Sequence, residues 1–175
     1  MLYVEKGTPA HAFELAFKLR DLDKYEIAIS GHDPLTALVN PFRFERPNVN
    51  TYTVLDNGSV VAMFGVVSNK HNPKYGSVWM LSSNELDKNW YYFSKRTKKW
   101  CNYFLSDYEY VYNYITKEHK NNIKWLKWLG FSFKSKNIIV KDVELLYFYK
   151  KIPSVSKNIQ PVLGDIGPIW TTEIS

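Results

Sequence analysis

At 175 residues, with 45% apolar side chains and one cysteine, the chain is long enough to bury a core as one domain without disulfide or metal staples. Cys101 has no partner for an internal disulfide, no apolar run reaches the roughly 18 residues of a membrane helix, and no charged-then-apolar leader opens the sequence. The expectation is a soluble intracellular protein without a signal peptide or membrane contact. The net charge of +6 is uneven: residues 1–87 carry 8 basic and 10 acidic side chains, residues 88–151 carry 14 and 5, and residues 152–175 carry 1 and 2. A basic middle suits an anionic partner such as nucleic acid, nucleotide phosphates or an acidic protein face; a solvated lysine surface is the plain alternative.

In chain order, Leu2-Tyr3-Val4 predicts a short strand. Thr8-Pro9 supplies an N-cap and a proline at the first helical position, and Ala10, Phe13, Phe17 and Leu19 or Arg20 mark one apolar face of the helix that follows. Asp33-Pro34 repeats the start signal, with Leu35 and Leu38 facing the core and Pro41 ending the helix. Residues 51–67 read as a hairpin, because Asn57-Gly58 is the pair a two-residue type I′ turn prefers. Ser77-Val78-Trp79-Met80-Leu81 is apolar enough to be a central strand. The longest helix follows: Leu86, Trp90, Phe93, Thr97, Trp100 and Phe104 recur every three or four residues, with Lys95, Arg96, Lys98 and Lys99 mostly off that line. A strand over 110–115, a helix over 120–129 and a closing strand pair at 131–133 and 143–149 complete the domain, residues 1–151. Residues 152–175 form an extended arm, since Pro153, Pro161 and Pro168 forbid a long helix.

This order of elements resembles the Gcn5-related N-acetyltransferase (GNAT) superfamily, and Leu129-Gly130-Phe131 after the Trp-rich helix matches its most specific mark. The resemblance implies an α/β (α+β) acyl-CoA N-acyltransferase fold, a mixed sheet of about six or seven strands with about four helices. Ile123, Leu126 and Leu129 would then hold the Trp-rich helix to the sheet. A narrower resemblance spans roughly residues 60–135. Residues 77–83, the lysine-rich helix, Tyr112-Asn113-Tyr114, and Ile123 to Lys127 ahead of Gly130 look like the small acetyltransferase-like internal virion, or core, protein of T-seven-like short-tailed phages. That likeness implies a role in virion assembly or the internal core, in host cytoplasm or virion, with phage structural or core proteins as partners.

Acetyl-CoA, the cofactor implied if the chain is an enzyme, would need bare backbone donors at the start of the long helix to hold its pyrophosphate. The corresponding stretch is Leu81, Ser82, Ser83, Asn84, Glu85, Leu86, Asp87 and Lys88, without the family's glycines. Ser82 and Glu85 have capping-box spacing, and Glu85 and Asp87 put negative charge beside an anion. Leu81, Ser82, Ser83, Asn84 and Lys88 are the candidate cofactor contacts, with Trp125 and Trp128 as candidates beside a pantetheine arm. The family's acid tyrosine falls at Leu126, which cannot donate a proton, and its asparagine at His119. Candidate catalytic groups are therefore the replacement acids Tyr112 and Tyr114 and the bases His119, Glu85 and Asp87; core or surface roles are the plain alternative for each. His11, His32, His71 and His119 are too scattered to ligate a metal, Cys101 reads as a buried small hydrophobe, and no Walker loop or dinucleotide fingerprint occurs. Lys120, Lys124 and Lys127 form a helical stripe that, with Lys95, Arg96, Lys98 and Lys99, offers a non-specific DNA contact or a solubilising face.

Three functions follow as expectations: a non-catalytic phage assembly or core protein, an acetyl-CoA-dependent N-acetyltransferase with a degenerate pyrophosphate loop, and a non-specific DNA-binding module.

Overall fold

The computed structural model describes residues 1–43, 50–135 and 137–153; the arm beyond Pro153 lies outside the described residues. It contains β1 (Leu2–Lys6), α1 (Pro9–Ala16), α2 (Asp21–Ile29), α3 (Pro34–Arg43), β2 (Asn50–Asp56), β3 (Ser59–Ser68) and β4 (Tyr75–Ser82). A 3-10 turn over Asn84–Asn89 leads into α4 (Trp90–Phe104), followed by β5 (Tyr110–Thr116), α5 (Lys120–Trp128), β6 (Ser132–Phe133), β7 (Ile138–Val140) and β8 (Val143–Lys151).

Most start and stop signals act where their chemistry predicts. Thr8 Oγ1 accepts from His11 N at 3.2 Å to cap α1, and the Asp33 carboxylate accepts from Thr36 N at 3.0 Å at the head of α3. Asn57 and Gly58 both take positive φ, 49° and 85°, as a type I′ turn requires, and β2 pairs antiparallel with β3 across it. Gly130 takes φ 89° after α5, and Leu126 and Leu129 are buried beneath it.

Several expectations about the elements are corrected. The first helix stops at Ala16, and α2, which buries Asp23, Ile27 and Ile29, occupies a stretch the apolar pattern does not mark. The buried residues of α1 are Ala12, Leu15 and Ala16, whereas Phe13 and Phe17 face solvent, because small side chains bring α1 close to α3 and the sheet. Pro41 lies inside α3, which runs on to Arg43, and α4 begins only at Trp90 after the 3-10 turn. The sheet also has one more strand than expected, since β7 pairs with β8 beyond the end of β6.

The sheet order is β1-β2-β3-β4-β5-β8-β6, antiparallel throughout except where β4 meets β5. That one parallel pairing is short: Tyr75, Gly76 and Ser77 oppose Tyr110, Val111 and Tyr112, and beyond them the two strands diverge. Gly76 is required at the junction, because a Cβ there would meet the Tyr108 ring at 2.8 Å and Val66 closer still. One core, around Val54, Val66, Phe93, Val111 and Phe148, lies between the sheet and α4 and α5; the other, around Leu15, Leu38, Leu55 and Met63, lies under α1 and α3.

Phe93 is 1% exposed and Phe17 is 85% exposed. Phe93→Ala should cost about 3–5 kcal/mol, whereas Phe17→Ala should stay within about 0.5 kcal/mol; urea unfolding of both variants measures the contrast.

Candidate functional site

Strands that diverge expose backbone groups that a sheet neighbour would otherwise pair. In the upper parts of β4 and β5 these groups are met by side chains. Asn113 reaches across the fork from β5 and donates its Nδ2 to Val78 O at 2.6 Å. At the open end α2 supplies two carboxylates three positions apart on one helical face. Asp23 Oδ2 accepts from Ser82 N at 2.9 Å, and Glu26 Oε1 accepts from Thr116 N at 2.7 Å and Thr116 Oγ1 at 2.8 Å. The helix therefore ties the tip of β4 to the tip of β5.

The tie is charged and mostly buried. Arg20 donates Nε and Nη2 to the two oxygens of Asp23 at 3.2 and 3.1 Å, and its backbone N donates to Ser82 O at 3.0 Å, so the turn before α2 pairs directly with the end of β4. His119 is buried on the other side, its Nε2 3.5 Å from Asp23 Oδ1 and 3.4 Å from Glu26 Oε2 without a directed hydrogen bond to either.

Below the tie, the fork opens into a cavity of about 750 Å³, within the size range of ligand pockets. Leu81, Met80, Phe93, Trp125, Leu126 and Phe148 contribute to a mainly apolar wall, and the indole N–H groups of Trp79 and Trp125 are buried there without an acceptor among the described residues. Cys101 lines the same cavity and is partly exposed rather than fully buried; burial pushes its thiol up to about 12.

The candidate residues separate around this cavity. Leu81, Trp125 and Tyr114 line it. Trp128 points away, 45% exposed with Lys98 Nζ 5.1 Å above its ring. Tyr112 lies by a separate hollow with its hydroxyl accepting from Asn69 Nδ2 at 3.3 Å. Glu85 and Asp87 are exposed and sit 3.8 Å from Lys18 and Arg20 respectively. Asn84 and Lys88 are exposed, while His119 is buried against α2. Lys95, Lys98, Lys120, Lys124 and Lys127 are exposed and Arg96 partly so; the side chain of Lys99 lies outside the described residues.

The start of the long helix does not fit a pyrophosphate. The capping residue is Ser83, not Ser82: Ser83 Oγ accepts from Glu85 N at 3.3 Å, and the Ser82 hydroxyl is buried without a partner among the described residues. The backbone N of Ser82 is held by Asp23, that of Ser83 donates to Val61 O at 2.9 Å, and that of Leu86 donates to Ser83 O at 3.3 Å. An anion here would compete with a fixed carboxylate and with two further acidic side chains. Four backbone donors at this turn, those of Ser82, Ser83, Glu85 and Leu86, are thus already held by the chain's own oxygens.

Arg20, Asp23 and Glu26 are absent from the sequence-based candidates. Their only local signal is the repeated three-residue spacing, which ordinary surface helices share.

Asp23→Ala should leave Ser82 N and Arg20 without their acceptor and cost about 3–5 kcal/mol, while Asp21→Ala, at a fully exposed side chain two positions earlier, should cost less than about 0.5 kcal/mol; thermal melts of both variants decide. Cys101 in the folded protein should react with a disulfide reagent at pH 8 at least about tenfold more slowly than a free thiol, because little thiolate is present, and denaturant should abolish the difference.

No protein-family model matches the sequence, and no curated protein matches it. Solved structures do. A GNAT-family acetyltransferase from Streptococcus pneumoniae is similar with a TM-score of 0.60 at 13% identity, covering 87% of this chain and 100% of its own. Spermidine N-acetyltransferase from Vibrio cholerae, solved with CoA and spermine, gives 0.63 at 9%, covering 86% and 95%. An acetyltransferase from Bacillus subtilis in complex with CoA gives 0.57 at 10%, covering 87% and 100%. With this strand order, the single parallel fork and these neighbours, the chain has the fold of the GNAT acetyltransferases.

Proposed function

We propose that this acyltransferase-like chain is non-catalytic and acts through protein contacts in phage virion assembly or in the internal core of the virion. Its partners on this reading are phage structural or core proteins, met in the host cytoplasm or inside the particle. The observation that carries the non-catalytic half is the use of the Ser82, Ser83, Glu85 and Leu86 backbone donors by the chain's own oxygens. A cofactor whose pyrophosphate needs those donors would have to displace Asp23, and Asp23 also neutralises Arg20. The phage half rests on the word-like likeness of residues 60–135 to the phage core protein. The arm 152–175, the second contact this reading would use, extends outside the described residues from Ser154 onwards.

A second reading, an acetyl-CoA-dependent N-acetyltransferase, is favoured by one observation: the fork between β4 and β5 leads into an apolar cavity with Tyr114 in its wall. Tyr114 is then the acid candidate, since Tyr112, Glu85 and Asp87 lie outside the cavity lining. The third, non-specific binding of DNA, rests on the exposed lysines of α4 and α5 and requires affinity to fall steeply with salt.

Thermal melts with and without millimolar acetyl-CoA separate the first two. A ligand at a hundredfold excess over its dissociation constant adds about 2.7 kcal/mol, which for a chain of this size raises the midpoint by roughly 5–10 °C. The proposal expects no shift. A clear rise overturns it in favour of the enzyme.

A further inference from the structure

Thirteen tyrosines make up much of the aromatic content of this chain, and the strand register collects several of them on one sheet face. Tyr75 opposes Tyr110 across the parallel junction, Tyr112 opposes Tyr149, and Tyr114 opposes Tyr147. Alternation along β5 and β8 puts all of these on the same side, opposite the face where Val111 and Phe148 enter the core. The result is a continuous aromatic array. Tyr110 and Tyr149 lie 5.6 Å apart with an interplanar angle of 17°, Tyr112 and Tyr147 6.0 Å apart at 25°, and Tyr147 and Tyr149 6.1 Å apart at 28°. The Tyr110 and Tyr147 hydroxyls meet at 3.1 Å.

Neither apolar core includes any of these tyrosines. Tyr75 at one end and Tyr114 at the other are each 40% exposed, and the four between them remain partly exposed. Stacked rings left open to water are costly to maintain on a solvated surface and useful for a partner with flat faces of its own.

Lysines border the array. Lys134 places its Nζ 4.7 Å from the Tyr147 ring centre and 5.9 Å from that of Tyr149. Lys151 stands opposite Tyr110 at the end of β8, and Lys70 and His71 line a hollow of about 290 Å³ against Tyr112. Lys70, Lys134 and Lys151 are exposed, and no salt bridge among the described residues neutralises them. Glu144, the carboxylate on β8, belongs to the alternate register and is bound to Lys117 and Asn137.

We propose that the tyrosine face of β4, β5 and β8, bordered by Lys70, Lys134 and Lys151, binds single-stranded nucleic acid, with bases against the rings and phosphates on the lysines. Aromatic faces accept any base, and lysines follow the backbone, so the expected recognition is weak in sequence and strong in strand state. A duplex hides its base faces and can use only the lysines. This surface is distinct from the lysines of α4 and α5 on the other side of the sheet, and of its tyrosines only Tyr114 is shared with the cavity wall.

The test is fluorescence anisotropy of the full chain with labelled oligo-dT and oligo-U strands and a duplex, each about 15 nucleotides long, a span of one to a few such sites. The single strands should bind at least about tenfold more tightly than the duplex at low salt, with the two strand chemistries reporting whether a 2′-hydroxyl matters. Joint replacement Tyr75→Leu and Tyr114→Leu should weaken single-strand binding about tenfold or more, and Tyr75→Phe with Tyr114→Phe should restore it, because ring faces rather than hydroxyls are used. Lys134→Gln with Lys151→Gln should flatten the logarithmic salt dependence by roughly 0.7 per lost contact. Unchanged melting midpoints exclude misfolding as the cause. Equal affinity for duplex and single strand, an unaltered affinity in the folded leucine variant, or no binding at low salt overturns the proposal.

Discussion

The divergence of β4 from β5 is the constraint from which the rest of this structure follows. A parallel pair held over only Tyr75–Ser77 and Tyr110–Tyr112 leaves backbone donors and acceptors on both strands with no sheet neighbour. Buried groups of that kind must be satisfied or they cost more than the fold can spare. Three of them are met by side chains: Val78 O by the Asn113 amide inside the fork, and Ser82 N and Thr116 N by the Asp23 and Glu26 carboxylates across its mouth. Helix α2 is consequently less a packing element than a bridge. Its position explains why Arg20 is drawn in and why His119 is buried between two acids.

The same arrangement decides what the fork can accept. In this chain an internal carboxylate, that of Asp23, is fixed on the Ser82 backbone N at the tip of β4, beside the turn that leads to the long helix. A carboxylate accepting a backbone N–H and a bidentate guanidinium is a strong, oriented arrangement. Glycine would have kept the backbone there open, and serine instead supplies an oxygen that caps Glu85 N. Phe93, Trp125 and Phe148 give the cavity beneath an aromatic wall.

Charge and aromatic content divide the molecule in another way. The half after residue 87 carries most of the lysines, yet several of them lie over rings rather than against acids: Lys98 over Trp128, Lys127 over Phe133, Lys150 over Phe131 and Lys134 over the tyrosine pair. Cations so placed keep their charge available while covering apolar surface. Lys150 is the exception in degree, since burial lowers its pKa and its Nζ donates to Leu129 O at 2.8 Å, closing the end of α5.

Local chemistry in the sequence determined the caps at Thr8 and Asp33, the Asn57-Gly58 turn, the buried stripe through Leu86, Phe93 and Phe104, and the Gly130 stop after the Trp-rich helix. Each depends on neighbours within a turn or two, so the residues that cause it are adjacent in the chain. The resemblance carried by Leu129-Gly130-Phe131 also pointed to the right fold. The exposed Phe17, the extra strand β7 and the helix at Asp21–Ile29 were decided only in three dimensions, because an apolar or polar side chain is sorted by what its element packs against. The site belongs wholly to that second class. Asp23 and Ser82 are 59 residues apart, and Glu26 and Thr116 are 90 apart; no spacing rule links them, and only the divergence of two strands makes their meeting necessary.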